Sequence, residues 1–266
     1  MTTQTFPTLT PEQAAEQARI LQEGTSWDAC QFAAHFESGA DILALQARVL
    51  AVGTADDCCW FARCVRGADR QALQTKVLTE GTGSDALKFA AEVPGADIAA
   101  CQARVLAVGT GDEIFRFAWT VSDADIPVLQ ARVLEVGTAW AIYMFASKVP
   151  GVDISALQTR LLSVEPDLNG VERYKGAYWF AKNVPTADIQ ALQACVLAEG
   201  DCDHFYQFAR DITSADVEAL HAAAQAQGFV GLTDNQRTRF GQLLAGYREL
   251  NALADEWQAQ SEQPGA

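Results

Sequence analysis

Three groups of side chains in this chain have the types that do chemistry. Cys195, Cys202 and His204 offer the sulfur and nitrogen donors that zinc takes. Their C-x-H pair with one distant Cys falls short of the paired C-x-x-C spacing that marks a structural site. The three histidines, His35, His204 and His221, stand far apart in the chain, and no nucleophile elbow, phosphate loop or HExxH motif accompanies them. Carboxylates are plentiful, but a general acid and base need a placed pair, which abundance does not supply. These residues point away from an enzyme and indicate no metal or cofactor. The third group is the six tryptophans. Trp with Arg and Met is the mixture enriched at the energetic centres of protein interfaces.

The elements that position these residues are set by a repeat. From Ala40 the chain reads ADILALQARVLAVGT and from Ala124 ADIPVLQARVLEVGT. Units of 28 residues start at Ala40, Ala68, Ala96, Ala124, Val152 and Ala187, the fifth longer by seven. A degenerate unit precedes them from about Glu12, and half a unit runs from Ala215 to Gly228.

The first half of a unit has apolar residues at third, sixth, tenth and often thirteenth place, as in Ile98, Cys101, Val105 and Val108, which is helical spacing. Asp in second place suits an N-cap, and Gly in fourteenth place is expected to take the left-handed turn that ends a helix. The Thr that follows, at Thr54, Thr82, Thr110 and Thr138, caps a second helix that stops near Pro94, Pro150 and Pro185. A pair of short antiparallel helices cannot bury its apolar face alone, so the units must stack. The expected fold is all-α, a solenoid of about seven and a half helix-turn-helix repeats. Gln13 and Glu16 in the first unit and Gln225 in the last replace apolar residues of the inner copies, as fits faces that meet water.

The stretch FAAEVPGADIAACQARVL from Phe89 resembles a group of 28-residue helical-pair repeats of bacterial and phage proteins, and more distantly HEAT and TPR arrays. The resemblance covers roughly residues 12 to 228 and implies an α-solenoid. It brings no activity, ligand or catalytic residue.

Within the second helices a Phe-Ala pair recurs, whereas places 17, 21 and 24 vary and lie on one helical stripe. Trp27, Trp60, Trp119, Trp140 and Trp179 fall on it. With Arg116, Met144 and Lys175 they form the candidate partner-binding face. Packing of these indoles between units is the competing reading. Gln in seventh place is read as a ladder that bonds the neighbouring unit. The basic row of Arg19, Arg48, Lys76, Arg104, Arg132 and Arg160 is read as paired with the capping aspartates.

Residues 1–11 are expected to form a tail, 12–228 the array with an insertion near 166–176, 229–260 a capping helix region, and 261–266 a disordered tail. The insertion, rich in polar residues from Asp167 to Lys175, is a candidate auxiliary binding segment. From Thr233 a longer helix is expected, with Phe240, Leu243, Tyr247, Leu250, Ala254 and Trp257 on one seam. This helix caps the last repeat or pairs two copies, so the chain is a monomer or a homodimer.

A formal charge of −15 argues against nucleic acid as a partner and favours a basic protein. No run of about 20 apolar residues is present for a membrane span. Seven cysteines in small or apolar slots fit reduced packing residues in a cytoplasmic protein. A protein-binding scaffold is the reading these features favour. The alternative is an acidic inhibitor, of the immunity or anti-defence kind, that occupies a basic nucleic-acid-handling site of its partner.

Overall fold

The computed structural model describes residues 9–165 and 173–261, and among them it contains helices and no strands. The chain divides into two compact units, residues 1–136 and 137–266.

The first unit carries α1 (Pro11–Glu23), α2 (Ser26–His35), α3 (Ile42–Val52), α4 (Ala55–Cys64), α5 (Arg70–Glu80), α6 (Gly83–Glu92), α7 (Ile98–Val108), α8 (Gly111–Thr120) and α9 (Ile126–Val136). The second carries α10 (Ala139–Lys148), α11 (Ile154–Ser163), α12 (Arg173–Asn183), α13 (Ile189–Glu199), α14 (Cys202–Asp211), α15 (Val217–Ala226) and α16 (Asp234–Ser261). Within each unit a helix packs on its chain neighbour, and like helices of successive repeats also meet, α4 on α6 and α6 on α8, for example, or α10 on α12. This is an all-α helical-repeat solenoid.

Local chemistry starts and stops the helices. The carboxylate of Asp69 accepts from the Ala72 amide at 3.1 Å, and Asp41, Asp97, Asp153, Asp188 and Asp216 do the same for their own helices. Thr54, Thr82 and Thr110 cap the second helices through reciprocal boxes with Asp57, Asp85 and Glu113. α1 begins at Pro11, inside the stretch read as a tail, because Thr10 caps it through a box with Gln13.

The fourteenth-place glycines do not take the left-handed conformation. Gly53, Gly81 and Gly109 have φ of −88°, −77° and −78°. They are glycine because the chain is crowded there: a Cβ on Gly81 would stand 2.5 Å from the Val77 carbonyl oxygen and 3.0 Å from the Ala55 methyl of the preceding repeat. Left-handed backbone occurs instead at the end of the second helix, at Gly67, Gly95 and Gly151, and at Asp123 with φ 63°. Asp tolerates this region better than most residues.

Phe61, Phe89, Phe117, Phe145, Phe180 and Phe208 are fully buried and form the centre of each layer. Neighbouring repeats are clasped by glutamine. Gln46 Nε2 donates to the Asp69 carbonyl at 3.0 Å while its Oε1 accepts from the Asp69 amide at 2.8 Å. Gln74 with Asp97, Gln158 with Asp188 and Gln193 with Asp216 repeat both bonds. The ladder reading of this row therefore holds, and Gln46, Gln74, Gln158 and Gln193 are buried within the ladder rather than presented to a ligand. The basic row departs from expectation. Arg48 and Arg104 reach back to the carbonyls of Gly24 and Gly81. Arg19 and Lys76 pair with Glu16 and Glu80 on their own helices. The capping aspartates are already committed to amides, whereas a helix C-terminus presents carbonyls that attract a cation.

Candidate binding face

Place 21 of each repeat is adjacent to the buried Phe at place 22, so a helical turn of about 100° per residue carries its side chain toward the rim of the layer. The structure puts four of the five stripe indoles at the surface: Trp27, Trp119, Trp140 and Trp179 are 51%, 56%, 39% and 40% exposed. Trp60 is half-buried. Burial between layers, the competing reading, applies in part to Trp60 and to Trp140 and Trp179, which are 39% and 40% exposed, and least to Trp27 and Trp119.

In the first unit Trp27 of α2 meets Trp60 of α4 edge to face, with ring centroids 5.4 Å apart. Trp119 of α8 stacks on Phe115 at 5.9 Å, and Arg116 is exposed one turn away. A shallow groove of about 310 Å³ between α6 and α8 is lined by Leu87, Lys88, Glu92, Arg116 and Thr120.

In the second unit the aromatics join. Trp140 and Tyr143 of α10 lie 5.2 Å apart, Tyr143 and Trp179 of α12 6.5 Å, and Trp179 and Tyr178 5.1 Å. Met144, half-buried, is on the same helix as Trp140 and Tyr143. Lys182 Nζ stands 5.5 Å from the centroid of Trp179 and donates to Asp211 of α14 at 2.8 Å. Tyr178 donates its hydroxyl proton to the same carboxylate. The bond from Arg210, joined by those from Lys182 and Tyr178, holds the Asp211 carboxyl well below the usual carboxylate range. Burial, with the Asp211 acceptor second, raises the Tyr178 phenol. Lys175 is half-buried, its Nζ 5.7 Å from the ring centroid of Tyr174.

Tyr143, Tyr178 and Tyr206 escaped the sequence reading. They share a place with Cys59, Leu87 and Phe115, which reads as a packing slot. A phenol there buries its ring and still carries a hydroxyl to the rim. The change from Cys, Leu and Phe in the early repeats to Tyr in the later ones was the available signal.

The cations of the stripe are largely engaged. Lys88 pairs with Asp56 and Arg63 with Glu92, each across one repeat boundary. Lys182 and Arg210 share Asp211. Among the described residues these four cations are thus paired with carboxylates and do not form a free basic groove.

Other reactive side chains are occupied too. Cys202 Sγ lies 3.6 Å from the Ala224 carbonyl and 3.3 Å from Gln227 Oε1, Cys195 is buried on α13, and His204 pairs with Asp201 at 2.6 Å. That trio is not assembled as a donor set. Burial pushes the Cys30 and Cys59 thiols up to about 12 and those of Cys58, Cys101 and Cys195 to about 11, so they stay protonated at neutral pH. The expected insertion falls mostly on residues 166–172, outside the described residues; α12 begins directly after them, with Arg173 at the place where the earlier repeats have the capping Thr. Among the described residues no helix is long and apolar enough to cross a membrane.

No family model, curated protein or solved structure matches this chain. The resemblance of the repeat to helical-pair arrays rests on the residues quoted for it.

Proposed function

We propose that the protein is a noncatalytic scaffold that holds a protein partner against the rim of its second helices. The observation that carries this reading is the run Trp140, Tyr143, Trp179 and Tyr178, in which rings held by packing present two indoles to solvent. Aromatic anchors fixed before binding lose little conformational freedom on association, which is why Trp and Tyr dominate the energetic centres of interfaces. Trp27, Trp119 and Arg116 supply a second set of anchors on the first unit. The cytoplasm is the proposed setting, where free buried thiols such as these persist.

A second reading, an acidic inhibitor that fills a basic nucleic-acid-handling site, draws support from the charge of −15 and from the engagement of Lys88, Arg63, Lys182 and Arg210 by carboxylates. The same facts disfavour a nucleic-acid partner.

Affinity purification from the native host with wild type and a Trp140→Ala, Trp179→Ala variant tests the leading reading. A protein retained at high salt by wild type and lost from the variant supports it. The same proteins on both baits overturn it. Retention by both baits that vanishes above about 0.5 M salt, where the Debye length is only a few Å, transfers support to the inhibitor.

A further inference from the structure

α16 opens as α2, α4, α6 and α8 do and then outruns its repeat. The amide and hydroxyl of Thr233 donate to Gln236 Oε1 at 2.9 and 2.8 Å, the capping box of the inner copies. Phe240 follows Thr233 by the interval that separates Phe61 from Thr54, and it is fully buried against Tyr206 and His221. The half unit from Ala215 is therefore a whole one, with α15 and the start of α16 as its helix pair. Inner second helices such as α6 have 10 residues, whereas α16 has 28.

Through Tyr247 the seam of α16 rests on its own repeats, and Arg248 closes the contact by pairing with Glu218. Beyond that point Leu250, Leu253 and Trp257 are 68%, 55% and 75% exposed. Leu243, Tyr247, Leu250, Ala254 and Trp257 follow spacings of four and three, so the exposed face continues the docked one. Glu249, Asp255 and Glu256 lie on the other side of the helix, at about 100° per residue, and the seam itself carries no charge.

We propose that this seam joins two copies of the chain, their α16 helices antiparallel beyond Tyr247. Three observations select a second copy. The seam is continuous with a contact the chain already makes to itself. It lacks the carboxylates that a basic partner would seek, on a chain that carries −15 overall. An overhang of about 14 residues is also too short to be firmly helical by itself in water and needs a cover. An uncharged face is the one that two acidic molecules can share. The antiparallel sense places the two sets of repeats at opposite ends of a joint about 20 Å long, about two and a half times the Debye length at physiological salt. With three large apolar side chains per copy, the contact falls short of the roughly 1,200 Å² of a stable interface, so the dimer is weak and concentration-dependent.

Sedimentation equilibrium of the full chain from about 1 to about 500 µM tests this, a range that brackets micromolar dissociation constants. The expected result is a monomer at the low end and a dimer at the high end, with more dimer at higher salt as repulsion is screened. Leu250→Glu with Trp257→Glu weakens association by at least about tenfold, and Ala254→Arg alone does so through a different side chain. Trp179→Glu leaves it unchanged, which separates this surface from the proposed partner face. Thermal unfolding of the α16 variants at the lowest concentration is expected to match wild type, because the altered positions are exposed. A chain that stays monomeric throughout, a dimer insensitive to both α16 changes, or a dimer lost equally with Trp179→Glu overturns the proposal.

Discussion

The first and second helices of each repeat differ in what surrounds them. On α3, α5 and α7 the polar face is largely committed: Asp caps the helix, Gln clasps the following repeat, and on α3 and α7 Arg reaches the preceding one. On α4, α6 and α8 only the buried Phe-Ala pair and the Thr box recur, and the remaining positions range from Asp and Ser to Lys and Trp. A side chain that joins two copies must suit both of them, so it repeats. One that meets solvent is less constrained by its neighbours, and it is there that the tryptophans stand, even where Trp27 touches Trp60 and Trp179 touches Tyr143 of another repeat.

The sharpest way to break this contrast lies on a single helix. Phe117 is fully buried and Trp119, two residues on, is the most exposed indole of the stripe. Phe117→Ala leaves a cavity at the centre of a layer and is expected to cost about 3–5 kcal/mol. Trp119→Ala removes a larger ring and is expected to stay within about 1 kcal/mol, since most of its surface is already in water. Urea unfolding of the two variants measures both; comparable losses would mean that the stripe is part of the packing.

A smaller effect tests the clasp. Gln74→Leu keeps the volume but leaves the Asp97 amide without its partner and the Asp97 carbonyl with the Cys101 amide alone, at an expected cost of about 1–3 kcal/mol. The loss should appear as a lowered urea midpoint with increased hydrogen exchange at the α7 N-terminus. If the stability is unchanged, the glutamines are not what registers one first helix on the next.

Helical pairs, N-caps and the glutamine row were legible because each is decided within one repeat or by one repeat on its neighbour. Asp69 and Thr82 sit beside the amides they bind, so spacing alone exposes them. What escaped was decided by approach through space. Gly81 is crowded by the Val77 carbonyl of its own helix and then by the Ala55 methyl of another repeat, and the second contact is one that no local rule contains. Arg104 chooses the Gly81 carbonyl over an aspartate because the aspartate is already bound, and Tyr178 looked like a core residue until its hydroxyl met Asp211. The closing unit was hidden for another reason. Thr233 and Phe240 keep the repeat interval, but at the place of the Val-x-Gly stop α16 has Leu244 and Gly246 and continues as helix through them, so it resembles an independent helix. The stripe itself was visible as variation, whereas the joining of Trp140 to Trp179 through Tyr143 needed the helices in place.

The gentlest probe concerns pH, and it asks how much one polar joint between second helices contributes. Asp57 is one candidate. Burial works against its ionisation, yet bonds from the Thr54 amide and hydroxyl and from the Ser26 hydroxyl of the preceding second helix hold its pKa below the ordinary carboxylate value. A carboxyl with a depressed folded-state pKa favours the native state above its unfolded pKa, near 4, and gives up that contribution as pH falls through the folded value. Asp57→Asn is expected to cost about 1 kcal/mol at pH 7, in line with a lost helix cap. Because the difference rests on the charge, it should shrink as both proteins are acidified below about pH 4. Melting temperatures that stay equally far apart from pH 7 to pH 3 would assign the role of Asp57 to shape, and Ser26 would then be an incidental neighbour.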